Sequence, residues 1–188
     1  MEERKTIYLC LAHMSETGEE QKYVKEAFDT NWVAPLGPNV NGFEDDLKAF
    51  VSKNSDGSEL SREVVALSAG TAAVHLGLLA SGVGPGDEVC VQSFTFCASS
   101  HPITYLDATP VFIDSEPDSW NMDPELLEKA IIDRKEKTGK YPKAIVPVAL
   151  YGMPYDCDKI MAIADKYGIP VVEDAAEGCG SRWKGQVL

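Results

Sequence analysis

The stretch EVVALSAGTAAVHLGLLASGVGPGDEVCVQ, residues 63–92, decides the fold. Two short valine-rich runs, EVVALS at 63–68 and DEVCVQ at 87–92, flank a helical stretch near 71–82. A strand, a helix and a second strand in that order form a βα unit, whose strands run parallel. The same alternation continues outward. PVFID at 110–114, KAIVPVAL at 143–150 and IPVVED at 169–174 read as strands, with helical stretches at 123–137 and 156–167. The pattern predicts an α/β chain folded as a three-layer sandwich around a mostly parallel sheet.

In such sheets ligands bind beyond the carboxyl ends of the strands. That rule puts SAGTAA (68–73), SFTF (93–96), ALYG (149–152) and EDAAE (173–177) on one rim, since each directly follows a strand. Toward the N-terminus, Tyr23, Val24, Ala27 and Phe28 fall at helical spacing between Gly18 and Thr30, with Ser15 or Thr17 available as a cap. The proline-rich stretch NWVAPLGPNVN (31–41) reads as a loop carrying Trp32. A second apolar helix face begins at Phe43 and continues through Leu47, Phe50 and Val51. The chain therefore divides into an N-terminal helical segment with its loop, residues 1–55, and an α/β portion, residues 56–188.

Composition narrows the function. Of 188 residues, 44% are hydrophobic and 25% charged, which suits one domain or part of a larger one. A net charge of -13 argues against nucleic acid as a partner, because phosphate backbones require clustered Lys and Arg. No run approaches the length needed to span a bilayer, and the polar start MEERKTIYLC lacks a signal-peptide core, so no membrane partner and a cytoplasmic location are expected. Five cysteines (10, 90, 97, 157, 179) and three histidines (13, 75, 101) are scattered without ligand spacing, so neither disulfides nor a metal site is expected.

Neither SAGTAAVHLG nor SGVGPGDE fits a dinucleotide or P-loop pattern. Gly70, ahead of a helix starting at Thr71, can make an anion cup from free backbone N–H groups, or be a tight turn with Thr71 as an ordinary cap. Phe96 can stack on a planar ring or be core. Glu173 and Asp174 are neighbours on a strand and point to opposite faces, so they cannot act as a pair. Asp174 can face a protonated ring nitrogen or cap a helix. Pyridoxal 5'-phosphate, with a phosphate, a planar ring and a pyridinium nitrogen, accounts for all three rim features together.

NWVAPLGPNVNGFEDDL (31–47), ALSAGTAAVHLGL (66–78), SFTFCASSHPITYLDATPVFID (93–114), YPKAIVPVALYG (141–152) and PVVEDAAEGCGSRWKGQ (170–186) together resemble the DegT/StrS family of sugar-nucleotide aminotransferases. These belong to the fold type I, aspartate-aminotransferase-like enzymes that use pyridoxal phosphate. The likeness runs over nearly the whole chain and matches the N-terminal part of the family, with 56–188 as the first part of the cofactor-binding large domain. The first and third stretches resemble members that aminate a UDP-linked 4-keto-6-deoxy sugar.

The resemblance implies Gly70, Thr71 and Ala72 on the cofactor phosphate, Phe96 on the ring face and Asp174 on the ring nitrogen. It places Glu177 near the ring's 3-oxygen or the substrate, and Trp32 near the substrate. It further implies a nucleotide-sugar substrate, an amino-acid donor, usually glutamate, and a homodimer. The family's cofactor-linking lysine is expected downstream of Leu188, which leaves no catalytic residue in this chain. Lys184 instead matches a surface hairpin, and Ala149 stands where relatives often carry His. The missing segment would distinguish an aminotransferase from a sugar 3-dehydratase of the same fold. A non-catalytic sugar-nucleotide-binding or regulatory module is the reading from a different class.

Overall fold

The computed structural model describes residues 14–188. The described residues fall into two compact units, a first ending at Leu47 and a second from Lys48 to Leu188. In the first, α1 (Glu19–Asp29) is preceded by Ser15, whose hydroxyl accepts from Glu19 N at 3.2 Å while Glu20 reaches back to Ser15 N at 2.7 Å. This reciprocal bonding resembles a capping box. The expected apolar face is present, but α1 buries none of its residues, and Phe28 is 72% exposed. Helix α2 (Pro38–Val51) starts five residues before the expected Phe43. Pro38 accounts for the early start, since its fixed φ and missing N–H suit a first helical turn.

The second unit carries the sheet. Strands β1 (Glu88–Gln92), β2 (Thr109–Ile113) and β3 (Ala144–Val146) are all parallel, in the order β2-β1-β3. Two apolar clusters sit on its two faces. Cys90 and Ile145 face α5 (Pro124–Thr138) and α6 (Cys157–Tyr167) through Leu127, Ile131, Ile160 and Ala164. Val89, Val91, Ala144 and Val146 face α3 (Gly70–Ala80) and α4 (His101–Tyr105) through Val74, Leu78 and Ile103. Residues adjacent in a strand thus enter opposite cores, as the period of two requires, and the three layers follow.

Two expected strands are absent as regular elements. EVVALS forms no assigned strand, and Val65 is 70% exposed; a strand persists only where a neighbour completes its ladder. IPVVED lies parallel to β3, joined by bridges Ile145↔Val171 and Val148↔Asp174. Its ladder runs from Ile145 N to Pro170 O, Val172 N to Ile145 O, Asp174 N to Pro147 O and Ala149 N to Asp174 O. Pro147 has no N–H to give, so the rung between those bonds cannot form and the pairing is broken in the middle.

The chain ends in a hairpin, β4 (Arg182–Trp183) with β5 (Gln186–Val187). Lys184 and Gly185, at φ 48 and 90, form its two-residue turn, and the Lys184 ammonium pairs with Asp158. Lys184 is therefore a hairpin residue, as the resemblance implies. Among the described residues no helix is long and apolar enough to cross a membrane. Cys10 and His13 lie outside the described residues.

Candidate active site

Helix α3 begins at Gly70 behind Ala69, an extended residue (φ -163, ψ 155) whose side chain caps nothing. Thr71 therefore lies inside the first turn and does not cap the helix. Ala73 N is the first to bond within the helix, to Ala69 O at 3.1 Å, so the N–H groups of Gly70, Thr71 and Ala72 have no helical acceptor. A Cβ built on Gly70 would meet no atom within 4 Å, so the backbone there borders open space. The helix dipole adds partial positive charge at that end.

The position of α3 against the Asp174 segment is set by a close approach. A Cβ on Gly77 would stand 2.9 Å from Val172 Cγ1, so only glycine lets the helix lie this near the segment that delivers Asp174 two residues later. Gly70, Thr71, Thr95, Phe96, Ala98, Val148, Asp174, Ala176 and Glu177 line one cleft of about 240 Å³. Five of the seven residues assigned from the sequence are thus brought together. Ala72 sits on the adjoining helical turn. Trp32 lies in the first unit, half-exposed in a separate small cleft with Ala27, Leu36 and Pro38.

Phe96 is 71% exposed, so it is not a core residue. Its carbonyl accepts from Ser99 N at 3.1 Å, starting the 3-10 turn Cys97–Ser99 that holds the ring at the cleft. Asp174 is partly buried. Its Oδ2 accepts from Ser99 Oγ at 2.6 Å and its Oδ1 from Ala176 N at 3.2 Å. No helix follows it, so the helix-cap alternative falls away; the Oδ1 bond closes a local turn instead. Glu177 accepts a hydrogen bond from Tyr151 N, a backbone position held at φ 53. Ala149 is fully buried, and a Cβ on Gly178 would come within 2.6 Å of its Cβ, so the departure at 149 is matched to a glycine on the loop after Asp174.

Sequence reasoning missed Ser99 and a buried amide pair beneath the rim. Gln92 and Asn121, both fully buried, bond through Gln92 Nε2 and Asn121 Oδ1 at 3.2 Å. Gln92 Oε1 accepts from Met122 N at 2.8 Å, and Asn121 Oδ1 also accepts from Leu150 N at 3.1 Å. The signal was a polar residue ending an otherwise apolar strand, DEVCVQ.

Glu173 points away from the cleft, into a second one of about 370 Å³ with Arg62, Tyr155 and Cys157. The residue keeps access to solvent, yet its carboxyl is crowded by protein, and that desolvation raises its pKa above the usual carboxylate value, against Arg62 and a bond from Tyr155 that lower it. A carboxyl whose folded pKa is raised holds its proton longer in the fold than in the unfolded chain. Its contribution is therefore favourable at low pH and is lost as pH rises through the folded pKa. Glu173→Gln is expected to raise the melting temperature at pH 7 and to flatten the stability profile above pH 4.5. Calorimetry across that range checks it, and an unchanged profile would refute the crowding argument.

Residues 14–188 match the DegT/DnrJ/EryC1/StrS aminotransferase family. EpsN of Bacillus subtilis (strain 168), named for a pyridoxal phosphate-dependent aminotransferase, is 49% identical over 97% of this chain and 44% of its own length. A UDP-2-acetamido-2-deoxy-3-oxo-D-glucuronate aminotransferase of Pseudomonas aeruginosa is 44% identical over 80% of the chain and 38% of its own. The crystal structure of NtdA from Bacillus subtilis, with bound cofactor PMP, superposes with a TM-score of 0.75 at 32% identity, over 89% of this chain and 35% of that one. The chain thus spans less than half the length of these relatives. Matched along all its described residues, with the α/β architecture in common, the chain belongs to the DegT/DnrJ/EryC1/StrS aminotransferase family.

Proposed function

We propose that residues 1–188 supply the phosphate-binding and ring-binding half of an active site that moves an amino group from an amino acid, glutamate in the simplest case, to a keto group of a nucleotide-linked sugar, for amino-sugar and polysaccharide synthesis. One observation carries this reading: Gly70, Phe96 and Asp174, more than 100 positions apart in sequence at the extremes, line one cleft. An uncapped helix N-terminus, an exposed aromatic ring and a carboxylate are the complement of a phosphate, a planar ring and a protonated ring nitrogen. The residues present therefore fit pyridoxal 5'-phosphate. The names of the relatives support a nucleotide sugar as acceptor.

When bound, that cofactor supplies an electron sink for the α-carbon of the amino acid. The chain's own residues bind and orient. The N–H groups of Gly70, Thr71 and Ala72 hold the phosphate, with the dipole of α3 behind them. Phe96 covers one ring face and excludes water from it. Asp174 holds a proton on the ring nitrogen, and Glu177, anchored on Tyr151 N, stands at the cleft edge beside the ring's oxygen or the acceptor sugar. Trp32 is assigned to the substrate. The segments 1–55 and 56–188 serve respectively as the substrate loop and the first part of the cofactor domain. A homodimer, in the cytoplasm, completes the proposal; a C₂ contact repeats one patch on both partners.

Titration of the intact enzyme, of which residues 1–188 are the N-terminal part, with pyridoxal phosphate, followed by its visible absorbance, and then with glutamate tests the reading; residues 1–188 alone are expected to show no turnover. Saturable binding and a glutamate-dependent loss of the aldehyde band are expected, with amino-sugar product once a keto nucleotide sugar is added. Failure to bind either pyridoxal phosphate or pyridoxamine phosphate at millimolar concentration would overturn it. Sedimentation equilibrium checks the dimer, and a strictly monomeric species would remove that part.

A further inference from the structure

Asp174 does not stand alone, and the group that holds it belongs to no motif. Ser99 is fully buried in the turn that displays Phe96, and its hydroxyl donates to Asp174 Oδ2 at 2.6 Å, across a sequence separation of 75 residues. Thr95 Oγ1 lies 2.9 Å from Ser99 Oγ. A serine hydroxyl has one proton. Because that proton is given to Asp174, the Thr95 hydroxyl must be the donor in the second contact. The chain of bonds therefore runs one way, from Thr95 to Ser99 to Asp174, and each dipole strengthens the next.

The geometry points to Ser99 as the positioning residue of Asp174, with Thr95 as the donor that orients Ser99. Resting on the cofactor reading above, this assigns the turn 95–99 two linked tasks: it presents Phe96 outward to the ring face and aims the carboxylate from within. Asp174 Oδ2 is held by Ser99 and Oδ1 by Ala176 N, so the carboxylate's rotation is restrained at both oxygens. A bond between a hydroxyl and an ionised carboxylate is of the stronger class. Its loss would leave Asp174 free to turn away from a ring nitrogen while the phosphate cup at Gly70 is untouched.

The test compares Ser99→Ala, Thr95→Val and the hydroxyl-retaining Thr95→Ser, each made in the full-length enzyme. Each protein is loaded with pyridoxal phosphate labelled with ¹⁵N in the ring, and the nitrogen resonance is read by NMR alongside single-turnover rates with glutamate. Ser99→Ala is expected to shift the resonance toward the unprotonated value and slow turnover by about tenfold, with cofactor affinity changed less than about threefold. Thr95→Val is expected to move both in the same direction by less, and Thr95→Ser to restore them. A merely structural role would lower the melting temperature without moving the nitrogen resonance. A wild-type resonance in both Ser99→Ala and Thr95→Val would overturn the inference and leave the cofactor reading intact. No cofactor binding by the unsubstituted protein would overturn both.

Discussion

In the full-length enzyme, Asp174→Asn is expected to slow amino transfer from glutamate by about a hundredfold or more while pyridoxal phosphate still binds. The substitution keeps size and leaves Oδ1 able to accept from Ala176 N, but removes the negative charge. An anion beside a pyridine nitrogen favours its protonated form, and each pKa unit of that preference is worth about 1.4 kcal/mol. The loss of several units weakens the pull on the α-carbon's electrons, which appears in the rate of proton removal. Cofactor affinity rests mainly on the backbone N–H groups at Gly70, Thr71 and Ala72, which the substitution does not touch. Single-turnover rates with occupancy checked by absorbance decide the matter. Turnover near that of the unsubstituted protein would take Asp174 out of the site and the proposed function with it.

Asn121→Ala is expected to cost roughly 3 kcal/mol of folding stability, because several buried groups lose their partners at once. Asn121 Oδ1 accepts from Gln92 Nε2 and Leu150 N, and its Nδ2 donates to Met153 O at 2.8 Å. Removing the amide leaves Leu150 N, Met153 O and one of the two Gln92 Nε2 protons without these bonds, Gln92 keeping its bond to Phe94 O at 2.9 Å, and a cavity too polar to close by collapse. Those bonds also hold the loop on which Tyr151 sits at φ 53 and the one on which Trp120 sits at φ 64, conformations that cost non-glycine residues about 1 to 2 kcal/mol each. Chemical denaturation measures the loss. Asn121→Asp, which keeps the acceptor oxygens and gives up the donor, should fall between the two. A loss below about 1 kcal/mol for the alanine variant would mean that the network is relieved by water and does not secure the rim.

Local chemistry made much of this protein legible from its residues alone. Short apolar runs alternating with helical stretches located β1, β2, β3, α3, α5 and α6, because a strand covered on both faces of a sheet, as β1 and β3 are, reads as a continuous apolar run. The rim followed from the parallel order, since parallel strands present their carboxyl ends on one side. The hairpin at Lys184–Gly185 was expected only from the family resemblance, and the structure shows it as a two-residue turn.

Other features depended on what the chain meets in space. EVVALS has the composition of a strand, but a ladder needs a partner, and composition cannot supply one. IPVVED has a partner, and its pairing is interrupted by Pro147, a residue 23 positions from Pro170 that matters only because the two segments lie side by side. Ser99 and Asn121 are polar residues without a motif, and Gln92 is marked only as the polar end of an apolar run. Tertiary packing brings Ser99 to Asp174 and seals Gln92 with Asn121 away from water. A polar group becomes decisive there because, once buried, it must find its hydrogen bonds within the protein.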